Sequence, residues 1–397
     1  MAKPEIRIKG FNEEWEDRPF CKIANRVSTS GKTKELPGVE FEDIVSGEGV
    51  LNKDVKTKKI NKVGKVFEKD DVLFGKLRPY LKNILLADFK GIAIGDFWVL
   101  RPNDINPDFL YLLVSSGIFM RVANISSGSK MPRADWNLVS DSHFFIPNNG
   151  TEQLCVSDYF KSLDSTIQGL TNKVASLKQL KQACLISMFP QEGEEVPRVR
   201  FKGFDGEWKC TLLSDCLEIS TEKNNDGKYG IKDVLSVSDD YGVMNQIELL
   251  GRSYAGKSVA NYGVLRKGQI VYTKSPLKAK PFGIIKENNF GTGIVSVLYA
   301  VYSAKEGVNA TYIHYYFELA WRINKYLHPL VNKGAKNTMN ISDEMAITGK
   351  ICIPQSFEEQ YKIAFFFKEL DSQISVQELR LKKLKQLKSA CLAKMFV

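Results

Sequence analysis

Lysine, arginine and aromatic residues concentrate in stretches of this sequence that contain no acidic residue. The longest stretch spans residues 249–286, where eight basic residues are interleaved with Tyr254, Tyr262, Tyr272 and Phe282. Its basic residues are Arg252, Lys257, Arg266, Lys267, Lys274, Lys278, Lys280 and Lys286. Cations interleaved with aromatic rings suit phosphate contacts combined with ring packing. This stretch is therefore a candidate surface for a polyanion, and an ordinary solvated surface is the alternative.

Three shorter stretches share this character, and they span residues 72–87, 109–134 and 319–342. The last two contain loops, 127–130 and 332–337, in which glycine provides backbone freedom beside lysine and polar side chains. Such loops suit a close approach to phosphates or base edges, and a flexible surface loop is again the alternative. The candidate DNA-contacting residues are Lys76, Arg78, Lys82, Ser129, Lys130, Arg133, Lys274, Lys278, Lys280, Lys333, Lys336 and Asn337.

Recognisable catalytic motifs are missing from the sequence. It contains no GxxxxGK[ST] phosphate loop, no paired histidine ligands and no Asn-Pro-Pro-aromatic element of adenine methyltransferases. The glycine-rich run 290–293 precedes an apolar strand-like segment instead of following one, so it does not predict a cofactor turn. His143, His314 and His328 have no regular metal-ligand spacing and are interpreted as packing residues. We therefore expect a non-catalytic chain with no metal site.

The sequence contains an internal repeat that extends over most of the chain. RIKGFNEEW at 7–15 returns as RFKGFDGEW at 200–208, and LKQLKQACLISMF at 177–189 returns as LKQLKSACLAKMF at 384–396 with ten of thirteen positions identical. Weaker matches lie between these two and keep the same order. This pattern indicates a tandem duplication. Each copy has a variable segment followed by a more similar tail.

The two tails carry the spacing of a coiled-coil seam, with apolar residues alternating at intervals of four and three. The seam residues are Leu163, Ile167, Leu170, Val174 and Leu177 in the first tail and Leu370, Ile374, Leu381 and Leu384 in the second. Gln377 stands where the first copy has Leu170, and a polar seam residue often fixes helix register. We predict two long antiparallel helices.

The variable segments have short apolar runs broken by Gly, Asn and Asp, which indicates mixed sheet with short helices. The predicted fold class is α+β, duplicated with pseudo-twofold symmetry. The predicted boundaries are a first domain at 1–150, a helix at 151–190, a connector at 191–200, a second domain at 201–357 and a second helix at 358–397. The boundary is placed here because the segment from Pro190 to Pro197 is polar and is bounded by prolines.

Composition narrows the class of protein further. The 397 residues carry a formal charge of +10, which favours a polyanionic partner but is also compatible with simple solubility. No stretch is long and apolar enough for a membrane span, and the first residues lack the apolar core of a signal peptide, so we expect a cytoplasmic location. The seven cysteines are scattered, which supports neither a disulfide framework nor a zinc site.

One ordered set of residues occurs in both copies with identical spacing. The set is Ile146-Pro147, Glu152-Gln153 and Leu163-Asp164-Ser165, repeated as Ile353-Pro354, Glu359-Gln360 and Leu370-Asp371-Ser372. With the long helix that follows each set, the whole chain resembles the specificity subunits of type I restriction-modification enzymes. The resemblance implies two target recognition domains, each reading a few base pairs of double-stranded DNA, held apart by spacer helices so that the DNA site is bipartite and asymmetric.

The same resemblance implies partners that supply the chemistry. Two modification subunits that bind S-adenosylmethionine and methylate adenine would dock on this chain, and ATP- and Mg-dependent restriction subunits would join them, so that this chain itself binds no cofactor. Two other hypotheses stay open on the sequence alone. One is a DNA methyltransferase component that acts without partners, and the other is a coiled-coil interaction protein with no role on DNA.

Overall fold

The computed structural model describes residues 4–32, 36–56, 62–125, 131–191, 193–256, 258–333 and 339–396, without the side chains of 332, 333, 339 and 340. The chain divides into two compact units. Unit 1 comprises residues 1–172 and 378–397, and unit 2 comprises residues 173–377. The predicted domains are contiguous in sequence, whereas unit 1 combines the first domain with part of each long helix.

Unit 1 is α+β. In chain order its elements are β1 (Glu16–Pro19), α1 (Phe20–Ile23), β2 (Ala24–Val27), β3 (Ser30–Lys32), β4 (Gly38–Val39), β5 (Val63–Phe67), β6 (Val72–Gly75), β7 (Ile84–Leu86), β8 (Gly91–Ala93), β9 (Phe97–Pro102), α2 (Pro107–Ser115), α3 (Gly117–Ala123), α4 (Trp136–Asp141), β10 (His143–Ile146) and the first part of α5 (Gly150–Ser187). Two four-stranded sheets have the orders β2-β9-β6-β7 and β3-β5-β8-β4, and β1 pairs with β10. All pairs are antiparallel except β4 with β8. Strand β6 of the first sheet is a short apolar run that is buried at all four positions.

Unit 2 repeats this plan. After the last part of α5, its elements are β11 (Lys209–Leu212), α6 (Leu213–Cys216), β12 (Leu217–Ile219), β13 (Leu235–Ser238), β14 (Gly242–Asn245), α7 (Gln246–Leu250), β15 (Gly263–Leu265), β16 (Ile270–Thr273), β17 (Ile284–Glu287), β18 (Gly293–Val295), β19 (Tyr299–Ala304), α8 (Ala310–Tyr316), α9 (Ala320–Leu327), β20 (Asn332–Lys333), β21 (Met339–Asn340), β22 (Lys350–Ile353) and the first part of α10 (Phe357–Met395). Its four-stranded sheet has the order β12-β19-β16-β17. This order matches β2-β9-β6-β7 strand for strand along the repeat, so the duplication seen in the sequence is a duplication of fold.

Side chains that precede the two long helices accept hydrogen bonds from the backbone of their first turns. At the start of α5 the Asn149 side chain accepts a hydrogen bond from the Thr151 backbone N–H at 2.9 Å, and Glu152 lies in the first turn, where a carboxylate favours the positive end of the helix. Before α10 the Ser356 hydroxyl accepts from the Glu359 N–H at 3.4 Å. Helix α5 ends at Ser187, three residues before Pro190, and α10 ends at Met395.

Contacts within each unit show that the helices run antiparallel. In unit 1, Asp164 of α5 pairs with Lys388 of α10 at 2.5 Å, and Tyr159, five residues earlier on α5, contacts the later Cys391 at 3.6 Å. In unit 2, Lys181 of α5 pairs with Asp371 of α10 at 2.7 Å. Lys181 and Lys388 are repeat equivalents, as are Asp164 and Asp371. The same cross-helix ion pair is therefore made once in each unit, with the roles of the helices exchanged.

Each hydrophobic core is completed by the far end of a long helix. In unit 1, Phe396 packs at 5.3 Å from Phe109 and 6.3 Å from Trp15, measured between ring centroids. In unit 2 its equivalent Phe189 packs 5.4 Å from Tyr312, which also lies 6.1 Å from Trp208. Both phenylalanines are fully buried, so removing either ring would cost about 3–5 kcal/mol by the usual cavity penalty.

Two of the seven cysteines form a disulfide that the sequence does not predict. Strands β11 and β22 of unit 2 form a two-stranded antiparallel ribbon in which Cys210 lies directly opposite Cys352. A disulfide bond joins the two side chains. The corresponding ribbon of unit 1 has Asp17 opposite Phe145. Since 142 residues separate the two cysteines in sequence, spacing alone could not identify the pair.

Candidate nucleic-acid interface

Two basic stretches of unit 1 meet in space. Residues 76–82 follow strand β6 and include a short 3₁₀ turn over Pro79–Leu81. The backbone N–H of Arg78 donates to the Pro132 carbonyl at 2.8 Å, and the N–H of Ala134 donates to the Lys76 carbonyl at 2.9 Å. Segments that are separate in sequence, 72–87 and 109–134, therefore place Lys76, Arg78 and Arg133 at one surface.

Part of this charge is neutralised. Asp96 lies 3.3 Å from the Lys76 ammonium and 3.0 Å from the Arg133 guanidinium, so one carboxylate serves two cations. All three side chains stay partly exposed, and exposed pairs of this kind are weak and exchange easily for a phosphate. Arg78 is exposed and has no acidic partner among the residues that the structure describes, while the Lys82 ammonium reaches the Ser115 carbonyl at 3.5 Å. The surface formed by these residues therefore keeps a net positive charge.

In the equivalent region of unit 2, between β16 and β17, the three predicted lysines have different surroundings. Lys278 is exposed and makes no ion pair within the described residues. Lys274 pairs with Asp343 at 2.6 Å and is mostly covered. Lys280 is 5% exposed, lies 2.5 Å from Asp239 and donates to the Glu318 carbonyl at 2.9 Å. Its burial and pairing argue against a phosphate contact, so the assignment of Lys280 to the DNA surface is corrected to a structural role.

Lys280 belongs to a buried ionic cluster that includes Lys181, Asp239, Lys286, His314 and Glu318. Lys286 pairs with Glu318 at 2.7 Å, and Lys181 lies 3.4 Å from the same carboxylate. Burial would raise the pKa of Glu318, but Lys286, His314 and Lys181 together lower that pKa well below its ordinary value. The cluster joins the sheet of unit 2, helix α8 and helix α5 through charges that compensate one another.

His314 sits inside this cluster as a neutral ring. Its Nδ1 accepts a hydrogen bond from the Glu287 N–H at 3.1 Å. Burial first, and then the positive charge of Lys286, lower the pKa of His314 to about 3. This geometry agrees with its interpretation as a packing residue, and among the described residues no group of three or more His, Cys, Asp and Glu side chains is placed to hold a metal ion.

Another basic residue of the predicted windows is also buried. Arg322 of α9 donates to the carbonyls of Leu185 at 3.2 Å and Tyr316 at 3.1 Å, and its guanidinium lies 5.1 Å from the centre of the Phe189 ring. Burial lowers the pKa of its guanidinium. Arg322 therefore holds the end of α5 in place instead of facing a ligand.

Several predicted contact residues cannot be placed. Ser129, Lys130, Lys336 and Asn337 lie outside the described residues, and Lys333 is described by its backbone alone, in strand β20. Their assignment to DNA contact stays a prediction.

The repeated Glu-Gln pair has a defined structural role that the sequence does not reveal. In unit 1, Glu152 accepts two hydrogen bonds from the Arg7 guanidinium, at 2.7 and 2.8 Å, and a third from the Trp15 indole at 3.1 Å. In unit 2, Glu359 accepts the same two bonds from Arg200 at 2.6 and 2.8 Å, while the Trp208 indole N–H finds no partner among the described residues. The glutamate ties the segment that begins each copy to the start of its long helix.

The hydrogen bonds of each glutamate form a joint between the start of its copy and the start of its long helix. The neighbouring glutamine adds further hydrogen bonds to this joint. Gln153 accepts from the Asn106 N–H at 2.9 Å and donates to the Pro147 carbonyl at 2.8 Å, and Gln360 makes the same pair of bonds with Asn309 and Pro354, at 2.9 Å each. Asn106 and Asn309 in turn cap α2 and α8. The Ile-Pro and Glu-Gln elements are thus bonded to each other in both copies.

The predicted seam residues lie on the inner side of the helices. Leu170, Val174, Leu370 and Ile374 are buried, and the others are half-buried. Large apolar side chains also stay exposed on the outer faces, including Phe357, Tyr361 and Phe365 at four-residue spacing on α10. The Tyr361 and Phe365 rings stack with centroids 6.0 Å apart. No helix among the described residues is long and apolar enough to cross a membrane.

The chain thus has two α+β domains, each with a four-stranded sheet of the same strand order, and two long antiparallel helices. No family model and no curated protein matches the sequence. Solved structures do match over nearly the whole chain. The type I restriction-modification system S subunit from M. genitalium superposes with a TM-score of 0.62 at 11% identity, covering 100% of this chain and 99% of that one.

Two further solved structures match over nearly the whole chain. A chain from a structure described as "Structural basis underlying complex assembly and conformational transition of the type I R-M system" matches with a TM-score of 0.53 at 18% identity, covering 97% of this chain and 98% of that one. The HsdS subunit from Thermoanaerobacter tengcongensis gives a TM-score of 0.48 at 19% identity, with 96% of both chains covered. The two matches with TM-scores of 0.62 and 0.53 show that the chain has the fold of type I restriction-modification S subunits. The sequence resemblance predicted this fold.

Proposed function

We propose that this chain is the DNA-specificity subunit of a type I restriction-modification complex and reads a bipartite, asymmetric site with one half-site for each unit. The observation that carries the proposal is the fold: its likeness to S subunits extends over the whole chain, including both copies of the domain and both long helices. A duplicated reading domain needs no palindrome, because the two copies differ in the loops and side chains that they expose.

The exposed basic turns support DNA as the ligand. Residues 76–82 of unit 1 and 274–282 of unit 2 connect equivalent strands and carry exposed cations, Arg78 in the first and Lys278 in the second. Phosphate contacts of this kind position a protein on the duplex, and neighbouring side chains then read base edges. Two such turns, one in each unit, give the chain two places of contact.

The chain works in this proposal without catalysis of its own. Two modification subunits dock on the long helices, bind S-adenosylmethionine and methylate adenine, and restriction subunits that use ATP and Mg²⁺ add cleavage. The exposed apolar side chains of α5 and α10, including Leu154, Leu180 and Phe365, support docking, because burial of such side chains drives protein association. A location in the cytoplasm follows from this role.

Co-expression tests the proposal directly. The chain is produced with the modification subunit of its own system in a host free of other adenine methylation, and methylated adenines are mapped across the genome with and without the chain. A two-part motif that appears only when the chain is present supports the proposal. Unchanged methylation from a soluble complex would contradict it and favour an interaction protein with no role on DNA. Methyl transfer by the purified chain alone would show that it acts as an enzyme.

A further inference from the structure

The basic turn of unit 1 presents a large aromatic side chain to solvent between two cations. Its five residues are Arg78, Pro79, Tyr80, Leu81 and Lys82. Tyr80 is 57% exposed and Leu81 is 39% exposed, whereas Pro79 is buried beneath them. Single exposed apolar side chains are ordinary on a protein surface. Here a tyrosine ring and a leucine stand next to each other in a basic turn, where both are accessible to a ligand.

The backbone of this turn is held in an unusual conformation at both ends. Arg78 has φ 51° and ψ 62°, and Lys82 has φ 50° and ψ 48°, so two non-glycine residues are left-handed within five positions. Such residues persist only where their surroundings fix them, and they cluster at binding sites. Here Tyr80 is presented by a turn whose two ends are both fixed.

Hydrogen bonds show what fixes the turn. The Leu81 N–H donates to the Arg78 carbonyl at 2.9 Å, and the Lys82 N–H donates to the Pro79 carbonyl at 2.8 Å. From outside, the Pro132 carbonyl accepts from Arg78 at 2.8 Å, and the Gly47 N–H donates to Lys82 at 3.1 Å. The tip is therefore ordered before a ligand arrives, which lowers the entropic cost of binding.

The charge around the tip selects a polyanion over an apolar protein surface. Residues 72–87 contain no acid. Two carboxylates on neighbouring segments lie close to other cations, since Asp96 pairs with Lys76 and Arg133, and Glu48, which follows Gly47, lies 3.9 Å from Lys385. A ring flanked by Arg78 and Lys82 matches duplex DNA, in which base edges lie between two phosphate backbones.

We infer that Tyr80 is a specificity-determining residue that contacts base edges of the first half-site, while Arg78 and Lys82 bind the flanking phosphates. This inference rests on the proposed function and deepens it. The tyrosine ring can pack on a thymine methyl group, and its hydroxyl can donate to or accept from a base in the major groove. In unit 2 the corresponding turn exposes Leu277 and Lys278 instead, so the two units present different chemistry to their half-sites.

The test measures discrimination by the assembled complex of this chain with its modification subunits. The motif is first established by methylation mapping with the wild-type chain, and duplexes are then made with each position of the first half-site changed in turn. The ratio of affinities for the cognate and altered duplexes is measured for wild type, Tyr80→Ala, Tyr80→Phe and the control Val63→Ala, which trims another exposed side chain of unit 1. Each ratio is independent of how much complex assembles.

Tyr80→Ala is expected to lower discrimination roughly tenfold at one or two positions of the first half-site and to leave the second half-site unchanged. Tyr80→Phe is expected to lose only the part that depends on the hydroxyl, and Val63→Ala is expected to match wild type. Unaltered ratios for Tyr80→Ala would overturn the inference, as would an equal loss of affinity on every duplex, which is the signature of a phosphate contact. Failure of the wild-type chain to yield any motif would instead refute the proposed function.

Discussion

Glu152 and its repeat equivalent Glu359 occupy the same position in the two copies but have different neighbours. Both are almost completely buried, with 1% of each side chain exposed, and both bind an arginine through two hydrogen bonds. Only Glu152 also accepts from a tryptophan indole, and the Trp208 N–H lacks a partner within the described part of unit 2. The two joints therefore provide an internal comparison for the value of one buried hydrogen bond.

Replacing each glutamate by glutamine tests this comparison. Glu152→Gln removes the charge that pairs with Arg7 and weakens the bond to Trp15, so the free energy of unfolding of unit 1 should fall by about 2 kcal/mol. Glu359→Gln should cost unit 2 about 1 kcal/mol less, because no indole bond is lost there. Both losses are measured on the intact chain during denaturant unfolding. Hydrogen exchange is read by mass spectrometry on peptides that report separately on unit 1 and unit 2. Equal losses would show that the indole bond contributes nothing.

His314 makes the stability of unit 2 depend on pH. The folded protein keeps this ring neutral because its pKa is lowered to about 3, while the unfolded chain protonates it near the ordinary value of 6.5. Acid therefore favours the unfolded state, and stability falls as the pH drops below 6.5. Between pH 6.5 and 5 this one group should remove about 2 kcal/mol.

The variant His314→Gln should largely abolish this loss, as measured by unfolding at pH 7 and pH 5. His143→Gln is the matched control, because His143 is exposed and removing it should leave the pH dependence in place. Glu318 adds a second loss only at lower pH, since its lowered pKa gives stability that disappears as the pH falls below its ordinary value of 4.5. An unchanged slope in His314→Gln would show that the ring is already charged in the folded protein.

At this scale, the sequence could identify basic stretches but not the role of each lysine. Lys278 and Lys280 stand two residues apart in the same acid-free run, yet one is exposed and the other buried. The Lys280 ammonium donates to Asp239 and Glu318, which lie 41 and 38 residues away along the sequence. Pairing between such distant positions depends on the tertiary fold, which local composition does not contain.

The long helices are the elements that the sequence predicted most closely, because a regular apolar seam and flanking prolines leave little freedom. Gln377 interrupts this seam where the first copy has Leu170. It is half-buried, and its side-chain oxygen is buried without a hydrogen-bond donor among the described residues. A buried acceptor with no donor costs free energy, so on energetic grounds leucine would suit the position better.

Gln377→Leu should therefore raise the free energy of unfolding by about 1 kcal/mol. Gln373→Leu, an exposed position on the same helix, is the control and should change stability little. Thermal unfolding of both variants measures the difference. If Gln377→Leu instead lowered stability, the glutamine would be fixing the register of the helix pair, as its polar seam position suggested.

The outer face of α10 should carry part of the partner interface. Phe365 is 51% exposed and stacks with Tyr361, so Phe365→Ser should weaken binding of the modification subunit about tenfold or more. Leu298→Ser removes a similarly exposed side chain from the domain part of unit 2 and should bind normally. Titration of the purified subunits by calorimetry compares the two. Equal affinity of both variants would place the interface elsewhere.

For the whole molecule, the internal repeat was the decisive signal, because it predicted two similar domains before any strand was assigned. Exchange of residues 197–357 for the same region of another chain with this fold should change one half of the methylated motif and leave the other half intact. Methylation mapping of the chimaera, co-expressed with its modification subunit, gives the result. A motif altered in both halves would contradict the assignment of one half-site to each unit.

The sequence could not predict how the tails are shared. Each tail follows its own domain along the chain, so the natural reading assigns it to that domain. The structure instead places Phe189 in the core of unit 2 and Phe396 in the core of unit 1, because the helices are long enough to carry their ends away from the domain that precedes them. Helix periodicity gives the length of a helix but not the core that its end completes.

This sharing of tails has a consequence for biosynthesis. Unit 2 is a continuous stretch of residues 173–377, whereas unit 1 needs residues 378–396 to complete the core around Trp15 and Phe109. We therefore expect the core of unit 1 to be completed only after the last residues of α10 have been synthesised. Until then the incomplete first domain would expose the site that Phe396 fills.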